Sequence, residues 1–184
     1  LNTAAPDLLT GLFEQLGESR GAATQLAGAI VDWRDEDSLN QPASGAEDRD
    51  YAQAGLAWGA RDGDFETVAE LQQVLGMRPA LYAAAAPHLT VHSGAARPDV
   101  RFASDLVLAA MGQQRPPAVE GAAPEFGSGT YSIDSRARLA EGRSAHLSVV
   151  VRAGGNALPG STYTPLRWQD GAPSDGRDRV SAER

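Results

Sequence analysis

The stretch Asp32-Trp33-Arg34-Asp35-Glu36-Asp37, followed after a polar loop by Gly45-Ala46-Glu47-Asp48-Arg49-Asp50-Tyr51, decides how the rest of the chain is read. Between Asp32 and Glu66 ten acidic residues stand against three arginines, a local charge of 3 − 10 = −7, whereas the whole 184-residue chain carries −8. Nearly all the excess negative charge therefore sits in one short segment. Such a cluster repels itself and repels phosphate backbones, and it calls for cations or for a solvated loop. Gly, Asn, Ser and Pro punctuate it, so it reads as loops around one short helix over 48–54, ended by Gly55.

On the N-terminal side the period is helical. Leu8, Leu9, Leu12, Phe13 and Leu16 share a face, with Thr3 as the expected N-cap, Pro6 in the first turn and Gly17 as the stop. A second helix over 19–33 carries Leu26, Ile30 and Trp33 on one side, and the two form a hairpin. On the C-terminal side a helix is expected over 66–75, with Val68, Leu71, Val74 and Leu75 inward, closed by Gly76. Pro79 opens another helix and Pro87 ends it. Leu89, Thr90 and Val91 read as a short strand, and 99–111 as a last helix burying Phe102, Leu106 and Met111.

Past residue 112 the character changes. Pro116, Pro117 and Pro124 mark 113–129 as a linker or surface loop. The period then becomes two: Tyr131, Ile133, Ala137 and Leu139 on one face, and Ala145, Leu147, Val149 and Val151 on another. A third strand over 163–168 contains Pro165, which marks an edge or a bulge. The fold class is therefore α+β. A helical domain of hairpin-like units spans 1–112 and contains the acidic segment 32–66. Antiparallel strands follow over 130–170, and a polar, frayed tail over 171–184.

Several functions lose their chemistry at this level. Without cysteine there is no disulfide, thiol catalysis or Cys-based zinc site. No apolar run reaches the roughly 18 residues of a membrane helix. His88, His92 and His146 are dispersed and read as surface or capping groups. Gly-x-Ser-x-Gly elbows and phosphate loops are missing, and Gly127, Gly129, Gly154 and Gly155 read as turns. The acid pairs lack an aromatic pocket that would raise a catalytic pKa, so no enzyme is expected. The hairpin over 8–30, with Gly17 and Gly21 in its turn, resembles a helix-hairpin-helix module, the alternative nucleic-acid-binding reading. Such binding needs basic phosphate contacts, and the next segment is strongly acidic. Trp33 reads as core, and Trp58, in a loop, as packing on the acidic segment or touching a partner.

Two readings of the acidic segment stay open on spacing alone. One is a solvated loop leading to a helix N-terminus that favours negative charge. The other is calcium, which takes six to eight oxygens from flexible loops. Asp35 and Asp37 can aim at one ion, and Glu47, Asp48 and Asp50 offer further oxygens at a helix start. An EF-hand does not fit: with Asp35 first, the glycine position holds Asn40 and the last position Ala46.

The motifs Trp33-Arg34-Asp35-Glu36-Asp37, Gly45-Ala46-Glu47-Asp48, Asp50-Tyr51, Phe65-Glu66-Thr67-Val68 and Leu75-Gly76-Met77 occur in an order that resembles the helical domain of the K-type minor pseudopilins of type II secretion. Leu1-Asn2-Thr3-Ala4 resembles that family's entry into the domain. Tyr131, Val149 to Arg152 and Leu166-Arg167-Trp168 resemble its closing, pilin-like sheet. The resemblance implies a structural protein of the pseudopilus tip, without catalysis. Its helical units are SAM-like or helix-hairpin-helix-like, and its partners are the I- and J-type minor pseudopilins, with no nucleic acid. It implies a periplasmic location, with the inner membrane reached only through an N-terminal helix absent from this sequence. It also implies bound Ca²⁺, with Asp35, Asp37, Glu47, Asp48 and Asp50 as the candidate ligands.

Overall fold

The computed structural model describes residues 1–42, 44–115, 117, 129–138, 140, 144–153 and 163–171. Most of the expected linker, Leu139, the turns at Gly127 and Gly154-Gly155, and the tail beyond Gly171 lie outside the described residues. The chain divides into two compact units, Leu1–Glu120 and Gly121–Arg184.

In the first unit, α1 (Pro6–Gln15) begins on a proline whose missing N–H would have lacked an intrahelical partner anyway. Ala5, not Thr3, is its N-cap. Gly17 turns the chain at φ 95°, and the Ser19 hydroxyl accepts from Ala22 N–H to start α2 (Arg20–Arg34). Leu9, Leu12 and Phe13 of α1 and Ala23, Leu26, Ile30 and Trp33 of α2 are buried. Each large side chain removed from water contributes roughly 1.5–3 kcal/mol, so this seam anchors the unit. α3 (Asp48–Gln53) adds Tyr51, which is fully buried. Trp33 lies between two rings, with centroids 6.0 Å from Tyr51 and 6.0 Å from Phe65.

Several expectations for the next segment need correction. In place of the helix expected over 66–75, a 3₁₀ helix runs over Val68–Gln73. Glu70 turns its carboxylate back onto the amides of Glu66 and Thr67, at 2.9 and 2.7 Å, which fixes the start of one tight turn. α4 (Pro79–Ala85) stops at the turn containing Pro87. Residues 89–91 form no strand; they run irregularly against the helical core. The last helix, α5, covers only Asp105–Ala110, because the Ser104 hydroxyl accepts from Val107 N–H and sets a new start. That start leaves Phe102 outside the helix. Phe102 is 62% exposed, with its ring under the Arg101 guanidinium, and Leu108 is the residue of α5 that is buried.

The second unit is an antiparallel meander of β1 (Gly129–Arg138), β2 (Ser144–Ala153) and β3 (Tyr163–Asp170), in that order. Tyr131 pairs with Val151, Ile133 with Val149 and Ala137 with Ala145, so the two sets read as separate faces lie on the same one. Val149, Val150 and Val151 are buried in the central strand. The register shifts between Val150 and Val151, opposite the stretch holding Pro165, where a missing N–H costs least.

Candidate metal centre

Asp32 lies in the last turn of α2 and is wholly buried. A carboxylate there survives because the following loop folds back and satisfies it. Ala46 N–H donates to Asp32 Oδ2 at 2.8 Å, and Gln41 N–H to Oδ1 at 3.2 Å. Two glycines permit the close approach. A Cβ on Gly28 would collide with Ser44 and the Gly45 backbone. Gly45 itself has φ 99°, and a Cβ there would collide with the Asp32 carboxylate.

Asp35 ends α2 in an extended conformation, with ψ 164°. Its Oδ2 accepts from Gln41 Nε2 at 3.3 Å. Glu47 begins α3 as its N-cap and is 4% exposed. Three elements thus converge: the end of α2, the returning loop and the start of α3. One carboxylate oxygen each from Asp32, Asp35 and Glu47 lies within 4.8 Å of the others. Asp35 Oδ1 and Glu47 Oε1 are buried and have no hydrogen-bond partner. None of the salt bridges among the described residues reaches these three groups.

The electrostatics follow from that geometry. Burial, then the Asp32 and Asp35 charges, push the Glu47 carboxyl up to about 7. Burial likewise raises Asp32, against the pull of its bonds from Ala46 and Gln41, and raises Asp35, where Asp37 adds to it. Three like charges are being forced together out of water.

The residues fit a hard cation. Calcium–oxygen distances are about 2.3–2.6 Å, so two ligands on one ion stand at most about 5 Å apart. An all-oxygen set suits calcium, magnesium or manganese better than zinc. The C-terminal end of a helix also presents partial negative charge. Backbone carbonyls and water would complete the six to eight positions that calcium takes.

Of the five residues expected to be ligands, the structure brings Asp35 and Glu47 together. Asp37 turns to its own loop, where Oδ1 accepts from Leu39 N–H at 2.8 Å. Asp50 accepts from Glu47 N–H at 3.0 Å and from Asn40 Nδ2 at 2.7 Å, and the Asn40 bond first of all pulls its pKa down. Asp48 is exposed and packs against Gly59. Asp32 escaped the sequence reading because it sits inside a helix. Its spacing of three from Asp35, which puts both on one helix side, was the available signal. Trp58 is half exposed and donates from Nε1 to the Gln73 carbonyl at 3.1 Å.

A family profile described as type II secretion system (T2SS), protein K, matches residues 1–94. No match is found among curated proteins. Among solved structures, the fold is similar to a chain of the GspK-GspI-GspJ complex from the type 2 secretion system of enterotoxigenic Escherichia coli. The TM-score is 0.65 at 17% identity, covering 94% of this chain and 72% of that one.

Proposed function

The chain belongs to the type II secretion system protein K family, and from that premise we propose that it acts as a non-catalytic minor pseudopilin whose helical unit is fixed by calcium held on Asp32, Asp35 and Glu47. The observation that carries the metal reading is the meeting of two buried carboxylates, Asp32 and Glu47, with the half-buried Asp35, and with two oxygens lacking any partner. A divalent ion would neutralise the repulsion and join the end of α2 to the start of α3. Asp37, Asp48 and Asp50 support it from outside, by shaping the loop and by adding negative potential.

The similar solved chain comes from a complex with GspI and GspJ. That supports assembly of this chain with the corresponding I- and J-type minor pseudopilins. On this reading the three strands belong to a pilin-like sheet and the helical unit is a SAM-like insertion. The protein works in the periplasm, held to the inner membrane by a helix preceding Leu1. A bulky helical unit would obstruct stacking of a further subunit, which suits a tip position. The nucleic-acid alternative finds no support: the segment after the hairpin carries −7.

The test removes residues 1–112 from the full protein in its host. Loss of secretion or altered pseudopilus length is expected. Unchanged length and unchanged secretion would contradict the tip role.

A further inference from the structure

The opening residues are fastened to the helical unit by side chains as well as by backbone bonds from Leu1 to the Thr90 carbonyl and from Ala5 N–H to the Ala96 carbonyl. Asn2 pairs with the Phe65 backbone in both directions: its Nδ2 donates to the carbonyl at 3.0 Å, and its Oδ1 accepts from the N–H at 2.9 Å. Arg34, the last residue of α2, donates to the Leu1 carbonyl through Nη1 and to the Ala4 carbonyl through Nη2, the latter at 2.8 Å. Arg34 adjoins the acidic centre, and Asn2 is linked to it through packed rings. Arg34 immediately precedes Asp35, and its guanidinium lies in the field of the Asp35 and Asp64 carboxylates. The Phe65 ring stacks on Trp33, and Trp33 packs on Tyr51 of α3.

We infer that Asn2 and Arg34 are positioning residues that couple the docking of residues 1–5 to cation binding at Asp32, Asp35 and Glu47. This rests on the calcium reading above. Asp35 is the C-cap of α2, so its carboxylate points where the helix end allows. A guanidinium tied to two carbonyls holds that end at one angle, and a cation would restrain the next residue along. Coupling of this kind is reciprocal: the ion tightens residues 1–5, and loss of the clamp loosens the ion by the same factor. The path by which the chain enters the helical unit thereby registers whether the ion is bound.

Simple electrostatics predicts the opposite sign for Arg34. Its positive charge repels a divalent ion, so Arg34→Gln should tighten calcium binding if charge alone mattered. The clamp predicts weaker binding. Asn2→Ala changes no charge and touches no carboxylate, so it serves even where the Arg34 variant does not fold.

Calcium is titrated by isothermal calorimetry into the 184-residue chain, Asn2→Ala and Arg34→Gln. Amide hydrogen exchange of residues 2–5 is followed with and without calcium. Binding roughly fivefold weaker or more is expected in both variants. Calcium should slow exchange at residues 2–5 in the parent chain but not in Asn2→Ala. Equal or tighter binding by Asn2→Ala, or exchange over 2–5 indifferent to calcium, overturns the coupling and leaves the calcium site standing. An absence of calcium heat with the parent chain overturns both.

Discussion

Two groups of carboxylates in and beside the acidic segment are handled in opposite ways. Around Arg61, Glu66 and Glu70 share one guanidinium, with the Glu70 contact at 2.6 Å, and Glu70 also caps the 3₁₀ turn. Around Asp32, Asp35 and Glu47 no salt bridge arrives among the described residues, burial raises all three pKa values, and two oxygens lack partners. The first group carries its counter-charge within the chain. The second has no ion-paired counter-charge among the described residues, and Arg34 acts on Asp35 only through its field. Counting acids does not separate the two, whereas asking which buried oxygens remain unpaired does.

The largest expected effect comes from Asp32→Ala. It strips the acceptor from the buried Ala46 and Gln41 amides and removes a ligand. In calcium it should cost about 3 kcal/mol in urea unfolding, with an unchanged m-value, and should abolish the calcium response. A change within error would erase the contrast between the groups.

Glu47→Gln sharpens it by a reversal of sign. In EGTA the substitution relieves repulsion among three crowded acids and should raise the melting temperature. In calcium it removes a ligand and should lower it. Shifts of the same sign in both media would mean that Glu47 serves packing alone.

The pH dependence comes next. The folded Glu47 carboxyl titrates at about 7, against an ordinary value of 4.5. The folded state therefore holds an extra proton between those values, and this contribution is lost as pH rises through that window. Asp50 and Asp99 are shifted downward, so they act only at lower pH. The Leu1 ammonium, which burial lowers to about 6, works the other way between about 6 and 8, so the comparison is made against Glu47→Gln. Without metal, the parent should lose more melting temperature, or gain less, from pH 5 to pH 8 than the variant does. The same pH dependence in the parent and in Glu47→Gln would contradict the assigned cause.

Arg61→Ala should have the smallest effect, because Glu66 faces solvent and Glu70 keeps its bonds from the Glu66 and Thr67 amides. Its melting shift should be alike in calcium and in EGTA. A calcium-dependent shift would tie the two groups together and dissolve the comparison.

Much of the fold was legible. Gly17 and Ser19 punctuate the α1–α2 hairpin, Pro79 opens α4, and the change to period two announces the sheet. What escaped depended on contacts that spacing does not encode. Glu70 and Ser104 each satisfy backbone amides locally, which shortened one expected helix to a 3₁₀ turn and delayed another until Phe102 lay outside it. Strand register, not alternation within one strand, decides that Ile133 and Val149 share a face. At the candidate site Asp35 and Glu47 were visible as loop and helix-start acids. Asp32 was hidden because a buried helical carboxylate is sustained by amides distant in sequence, those of Gln41 and Ala46.

The most direct measurement is the melting of the helical unit in excess EGTA and in millimolar calcium, with elemental analysis of the dialysed protein. Retention of calcium and a higher melting temperature are predicted; at a free concentration 100 times the dissociation constant, the gain is about 2.7 kcal/mol. Identical melting in both media, with no metal retained, would contradict the claim that these three carboxylates are held together by an ion.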